Sequence, residues 1–291
     1  MFKKAGVITL VLILALSLVV VGCGKQEAEQ QETPQQEEQQ PAEAALSGNL
    51  KLAGSTSVQP LAEELAMKFM ELNREVKIDV AGGGSGAGVE SAGNGAADIG
   101  MASRHVQDSE MSTYPELKPV AIAQDGITVG IHPNNPVDDL TLEQVKDIFS
   151  GKVTNWKEFG GNDASITVVN REEGSGTRGA FEEIVLGEEK FTDKAAVQNS
   201  TGAVKTAVAA DENAVGYISM GSMSSEVKGL KIVGVEPTVD NVINGTYPIA
   251  RPFNFITKGE AQGLAKTFID WVLNSSEAQG ITTEEGYIVS K

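Results

Sequence analysis

The segment Arg171-Glu-Glu-Gly-Ser-Gly-Thr-Arg178 sets two arginines around a glycine turn that carries two hydroxyls. A β-branched run, Ile166-Thr-Val-Val169, precedes it, and Gly179-Ala-Phe-Glu-Glu-Ile-Val-Leu186 follows with helical spacing. A strand, a glycine turn and a helix start leave backbone N–H groups without partners inside the helix. Beside guanidinium donors, such groups suit a small anion. Alone, the segment fits equally well an αβ connection with an ordinary Ser or Thr N-cap. It has company, however. Gly54-Ser-Thr-Ser57 and Gly82-Gly-Gly-Ser-Gly86 each end a strand-like run and open a helix-like one, and Ser103-Arg104 follows another strand, Ala97–Ala102. In open α/β sheets, ligands bind beyond the carboxyl ends of the strands. Loops of this kind could surround one anion with N–H and O–H donors.

Other chemistries fit less well. A Gly-Ser-Gly turn can hold a nucleophile, but a serine-dependent hydrolase needs a base on that serine, and the chain has only His105 and His132, the latter just before Pro133. Gly82–Gly88 lacks the Gly-Lys-Ser/Thr ending of a nucleotide loop. Two histidines, one cysteine and no His-x-x-x-His leave no metal site to expect, and no cofactor or catalytic residue is assigned. The formal net charge of −17 argues against nucleic acid as a partner. Residues 46–291 keep 20 basic and 34 acidic residues, so the acidity belongs to the folded part and any anion must be held by local donors. An adhesive or structural surface protein would not need donors gathered at strand ends.

The elements that must position these loops alternate. Asn49–Ala53 reads as a strand, and Val58–Asn73 as an amphipathic helix with Leu61, Leu65, Phe69 and Leu72 on one face and Pro60 in its first turn. Val76–Val80 is a strand before the second glycine loop. Pro119–His132 is strand broken by Asp125-Gly126, and Pro133-Asn-Asn-Pro136 a crossing point into a second unit. Leu140–Phe149 is a helix with Thr141 as cap. Lys190–Ala210 is helical in pieces, the better one starting at Gly202, and Ala214–Met220 and Lys231–Val235 are strands. Tyr247-Pro-Ile-Ala-Arg-Pro252 suits a hinge, with Arg251 structural, before strand Phe253–Thr257 and a helix over Glu260–Leu273. Such alternation predicts an α/β fold with mostly parallel sheets covered by helices. Arg178 is placed to pair with Glu182 on the helix surface.

At the N-terminus, Lys3 and Lys4 precede the apolar run Ala5–Val21, which ends in Val20-Val21-Gly22-Cys23. This resembles a bacterial lipoprotein signal over residues 1–22, which implies cleavage before Cys23 and lipid on it. An uncleaved anchor or a plain secretory signal are the other readings. Residues 23–45, rich in Gln and Glu, read as a flexible tether with too little apolar surface to fold.

The order of these segments resembles the phosphate-binding proteins of bacterial ABC phosphate uptake. The likeness covers nearly all of residues 48–291, including Ile148-Phe-Ser-Gly-Lys152 and Asn155-Trp156. Its most specific part is Asn170-Arg-Glu-Glu-Gly-Ser-Gly-Thr177. The resemblance implies a two-lobed, periplasmic-binding-protein-like (type II) α/β fold whose lobes, joined by crossover strands, close over a dehydrated ligand. The lobes are expected at 46–130 plus 247–291 and at 131–246. It implies a lipid-anchored, extracytoplasmic monomer that captures inorganic phosphate for an ABC permease in the membrane. Candidate phosphate-binding residues are Ser55, Thr56, Ser57, Ser85, Ser103, Arg104, Arg171, Ser175, Gly176 and Thr177, with Arg171 as the main counter-charge. The best-known members carry an aspartate that accepts the ligand's proton where this chain has Ser103, as in a subgroup with a Ser-Arg pair. A serine can donate as well as accept, so a receptor for another tetrahedral oxyanion (sulfate, molybdate, arsenate) is the alternative. Asp125 is a second candidate acceptor, against its reading as a turn aspartate before Gly126.

Overall fold

The computed structural model describes residues 46–290; the signal, the tether and Cys23 lie outside the described residues. The strands are β1 (Ser47–Gly54), β2 (Glu75–Gly82), β3 (Ile99–Ala102), β4 (Leu117–Ile131), β5 (Asp139–Leu140), β6 (Thr167–Arg171), β7 (Ala196–Gln198), β8 (Ala214–Ser219), β9 (Lys228–Gly229), β10 (Lys231–Ile232), β11 (Ala250–Lys258) and β12 (Ile288–Val289). The helices are α1 (Gln59–Leu72), α2 (Ser85–Asn94), α3 (Asp108–Thr113), α4 (Leu142–Ser150), α5 (Gly176–Phe181, continued by a π-turn over Glu182–Leu186), α6 (Thr201–Ala210), α7 (Val239–Ile243), α8 (Gly263–Asn274) and α9 (Ser276–Glu284).

Two hydrophobic cores form on this frame. In the first, Leu50 and Leu52 of β1 meet the buried face of α1, Leu61, Leu65 and Phe69. The Phe69 ring packs edge-on against Phe268 at 5.1 Å and Trp271 at 5.3 Å, which fastens α8 to α1. In the second, the Phe181 and Tyr217 rings stack at 4.5 Å and Phe149 meets them edge-on at 4.8 Å and tilted at 5.7 Å, in the same core as the fully buried Trp156. Each such side chain contributes about 1.5–3 kcal/mol by leaving water, so each core can hold its own helices in place. Thr141 caps α4 as its sequence implies: its hydroxyl accepts from the Gln144 amide at 3.1 Å while the Gln144 side chain accepts from the Thr141 amide at 2.8 Å.

The sheet runs β2-β1-β3-β11-β4-β8-β6-β7, with β9 and β12 also paired to β4. Its ends are parallel, β1 with β2 and β3, and β6 with β7 and β8. The middle is not: β4 and β11 run antiparallel to each other and to their neighbours β8 and β3. The expectation of a mostly parallel sheet therefore fails at the centre, where strands cross between the two cores rather than alternate with helices.

Strand β4 is continuous over 15 residues, so Asp125-Gly126 does not break it. Its partners change there instead. Leu117–Gly126 pairs with β11, and Ile127–Ile131 pairs with β8. Gly126 serves close packing, since a Cβ on it would lie 2.3 Å from Met220 Cε. Likewise Pro252 does not interrupt β11. Pairing of β11 with β3 covers only Asn254–Ile256, so the missing N–H of Pro252 removes no bond on that side. The chain also continues past the expected last helix into α9 and β12, which returns to pair with Gln124 and Ala123 of β4.

Helix α2 lies hard against β1 and β3. A Cβ on Gly88 would come within 2.4 Å of the Met101 carbonyl oxygen and 2.9 Å of the Ala53 carbonyl oxygen. Both obstacles are backbone, so Gly88→Ala is expected to destabilise the fold by about 1–3 kcal/mol. A denaturant midpoint equal to that of the unaltered protein would show that α2 is not held this closely.

Candidate anion site

The hydroxyl loops converge at the carboxyl ends of the parallel strands. Gly54, at a φ of 138°, ends β1 and starts the Ser55–Ser57 turn, and Gly84, at a φ of 90°, leads from β2 into Ser85. These are backbone conformations that L side chains rarely adopt, which is why glycine stands at both turns. Ser103 follows β3, Arg171 ends β6, and Ser175 caps α5 through the Arg178 amide at 3.2 Å. Ser55, Ser57, Ser85, Ser103, Arg171, Ser175 and Thr177 are all buried.

Hydrogen bonds join the two halves of this cluster. Ser57 Oγ lies 2.8 Å from Thr177 Oγ1 and 2.8 Å from Thr201 Oγ1. Thr56 Oγ1 accepts from Arg171 Nη2 at 3.2 Å and from the Thr201 amide at 3.2 Å. The Gly86 amide donates to the Gly174 carbonyl at 2.9 Å. Gly176 fits directly against two serines, for a Cβ there would meet Ser85 Oγ at 2.1 Å and Ser103 Oγ at 2.5 Å. The loops after β1, β2 and β3 thus face those after β6 and β7 across a water-excluding contact.

Arg171 is the charge at its centre, 1% exposed. Its Nε and Nη2 donate to both oxygens of Glu172, at 2.9 and 2.8 Å, and its Nη1 to Thr201 Oγ1 at 3.3 Å. Its backbone amide is held by Asn170 Oδ1 at 2.8 Å and Tyr217 Oη at 3.0 Å. Burial pushes the Tyr217 hydroxyl up, so it stays neutral and keeps the proton that it donates to Asn170 Oδ1.

Thr201 joins the cluster beyond the expected residues, and Arg251, expected to be structural, reaches it at Ser103. Thr201 lies in Asn199-Ser-Thr-Gly202, a hydroxyl and glycine turn between β7 and α6 like the others, with Ser200 as the cap. That pattern was legible, and the helix starts before Gly202. Arg251 carried no such signal. It sits inside a strand, directly across the antiparallel ladder from Asp125, and both are essentially fully buried. Asp125 Oδ2 accepts from Arg251 Nη2 at 2.9 Å and Nε at 3.2 Å, and Oδ1 accepts from the Met220 amide at 3.1 Å. Arg251 Nη1 then reaches Ser103, donating to its carbonyl at 3.2 Å and its hydroxyl at 3.1 Å. Asp125 thus meets the hydroxyl cluster only through Arg251. Burial raises the pKa of Asp125 and lowers that of Arg251, and their mutual attraction opposes both shifts.

Arg104 is not brought into the hydroxyl cluster. Its guanidinium binds both oxygens of Glu110, at 2.7 and 2.8 Å, while its stem packs on Gly179. Arg178 pairs with Glu182 at 3.0 Å, as its spacing implies, and lies over the Phe191 ring. Among the described residues, no hydroxyl of the cluster bonds a histidine or a carboxylate, so none has the base that a nucleophile requires. The arrangement offers donors to an anion.

Known proteins share this architecture. A family model described as a PBP superfamily domain matches residues 39–277. The phosphate-binding protein PstS of Bacillus subtilis is 34% identical over 287 residues, 98% of this chain and 94% of that protein. A phosphate ABC transporter substrate-binding protein from Clostridium perfringens, solved with bound phosphate, is 45% identical with a TM-score of 0.80, covering 84% of this chain and 100% of that one. An ABC-type phosphate transport receptor from Vibrio cholerae is 37% identical with a TM-score of 0.69, over 84% and 100% of the two chains.

The Asp125–Arg251 pair should matter to stability first. Asp125→Ala leaves a buried guanidinium without its carboxylate and is expected to cost about 3–5 kcal/mol. Thermal unfolding of the variant checks this, and a loss under 1 kcal/mol would mean that water already shares the load.

Proposed function

We propose that this chain, which belongs to the PBP superfamily and within it to the phosphate-binding proteins, captures inorganic phosphate between its two lobes and delivers it to an ABC permease. The observation that carries the reading is the cross-lobe cluster in which Arg171 bonds the hydroxyls of Thr56 and Thr201, and Ser57 links Thr201 to Thr177. Neither lobe alone supplies these donors, so a tetrahedral anion would favour the closed state by contacts made only there. In that state the hydroxyls that bond one another would turn to the anion. A hydrogen bond to a charged group is worth about 1.5–3 kcal/mol, and micromolar affinity needs about 8 kcal/mol net. A handful of such bonds suffices, with margin for closing the lobes.

For the division expected at 46–130 plus 247–291 and 131–246, with β4 and β11 as the crossing strands, the cores favour slightly different bounds: the first core ends at Ala123 and resumes at Phe253, whereas Ile127, Val129, Tyr247 and Ile249 pack in the second. The change of partner on β4 falls a few residues before that boundary. Strand β11 runs through Pro252 with a register shift just after it, between Phe253 and Asn254, so bending is placed at that irregularity and at the change of partner on β4. The protein acts as a binding protein and not an enzyme, monomeric and held outside the cytoplasm by lipid on Cys23. Among the described residues no helix is long and apolar enough to cross a membrane.

Arg171→Ala should weaken phosphate binding at least tenfold, because a desolvated anion loses its main positive partner from the second lobe, a guanidinium that Glu172 also engages. Calorimetry on phosphate-stripped protein tests this, and unchanged affinity would remove Arg171 from the site. Cys23→Ser should abolish the incorporation of radiolabelled fatty acid into the protein. Labelling equal to that of the unaltered chain would count against the lipid anchor.

A further inference from the structure

Arg171 is the last residue of β6, and the ladder of β6 with β8 covers only Thr167 and Val168. On that side the main chain of Arg171 is held by side chains instead. Tyr217 Oη accepts from its amide at 3.0 Å, and Arg178 Nη1 reaches back across Ser175, Gly176 and Thr177 to donate to its carbonyl at 3.2 Å. Arg178 is itself well seated. Its Nε donates to Glu182 Oε1 at 3.0 Å, and its Cζ stands 5.5 Å from the centre of the Phe191 ring. Phe191 in turn stacks on Tyr217, with ring centroids 5.7 Å apart. One aromatic group of the second core thus grips Arg171 from both sides, through Tyr217 at the amide and through Arg178 at the carbonyl. A surface pair with Glu182 would need only Nε, and it leaves the bond to the carbonyl without a purpose. All of these contacts lie on one side of the cleft and act on the main chain, so they do not depend on what the cleft holds.

We infer that Arg178 is a positioning residue for phosphate: it fastens the main chain of Arg171 to the aromatic core, so that the Arg171 guanidinium stands ready at the anion, and it does not touch the ligand itself. The inference rests on the phosphate-capture reading above. A long side chain that starts from a loose strand end has to be ordered when the anion arrives, and that ordering weakens binding. A strand end fixed at both its amide and its carbonyl has already been ordered. Glu182 matches the charge of Arg178, so its value to the site lies in where it holds Arg171 rather than in its own field.

The test is a double-mutant cycle read by calorimetric titration of inorganic phosphate into phosphate-stripped protein: unaltered, Arg178→Met, Arg171→Ala and both together. Arg178→Met should weaken phosphate binding roughly three- to tenfold, the cost of re-ordering one long side chain. In the Arg171→Ala background the same change should have almost no effect, because the side chain that Arg178 positions is gone. Equal weakening in both backgrounds would mean that Arg178 acts on the anion by contact or by charge, and would overturn the inference. Unchanged affinity with a smaller binding-competent fraction would make Arg178 merely structural, and would overturn it too. Arg178→Lys keeps the charge but not the planar fork that serves the carbonyl and Glu182 together. It should stay weaker than the unaltered protein, and full affinity in this variant would show that charge alone is needed. Should Arg178→Met not fold, Arg178→Lys takes its place in the cycle, with the same outcomes. Additive effects overturn only this inference, whereas no phosphate binding by the unaltered protein overturns the capture reading beneath it.

Discussion

A guanidinium taken out of water must have its N–H groups matched, and Arg171 meets that demand with groups from both halves of the molecule. Glu172, next in sequence, takes Nε and Nη2; Thr201 on its own side takes Nη1; Thr56 comes from the opposite lobe. Leaving such a charge buried and unmatched costs several kcal/mol, so the requirement draws the β1 and β6 loops onto each other. The other cross-lobe contacts, from Ser57 to Thr177 and Gly86 to Gly174, follow once those loops meet. The same desolvation that makes Arg171 costly to bury makes it strong toward an anion that enters beside it.

Behind this contact lies a second buried cation, which does a different job. Arg251 and Asp125 stand opposite each other on β11 and β4, the strands that pass between the two cores, one residue before β4 exchanges its partner. An ion pair at that place, tied also to the Met220 amide at the start of the turn after β8, joins three strands where β4 exchanges its partner. Its remaining guanidinium nitrogen faces Ser103, so the crossing point and the binding loops share one hydrogen-bonded network.

The acidity of the chain fits this division of labour. A net charge of −17 repels anions at long range, and the structure counters it locally by burying its two key arginines rather than by displaying a basic surface. Arg104 and Arg178, which are less enclosed by the cluster, are each neutralised by a glutamate, just as Arg171 is paired with Glu172 and Arg251 with Asp125. Selectivity thus has to come from directional bonds at short range.

The sequence by itself determined the loops. Glycine and hydroxyl turns after β-branched runs are local events, dictated by backbone conformation and capping, so Ser55–Ser57, Ser85, Ser103, Arg171 and Ser175–Thr177 could be placed in order, and so could the helices at Val58–Asn73 and Leu140–Phe149. Thr201 was within reach by the same pattern. Only the tertiary structure decided the middle of the sheet: the antiparallel course of β4 and β11, the unbroken passage through Asp125-Gly126 and Pro252, and the turning of Arg104 away to Glu110. It also decided the role of Arg251, because a cross-strand partner 126 residues distant leaves no trace in local spacing. Periodicity reports which face of an element is buried, but which strand lies beside which, and hence which charge meets which, is settled by long-range pairing and the cost of burying an unmatched group.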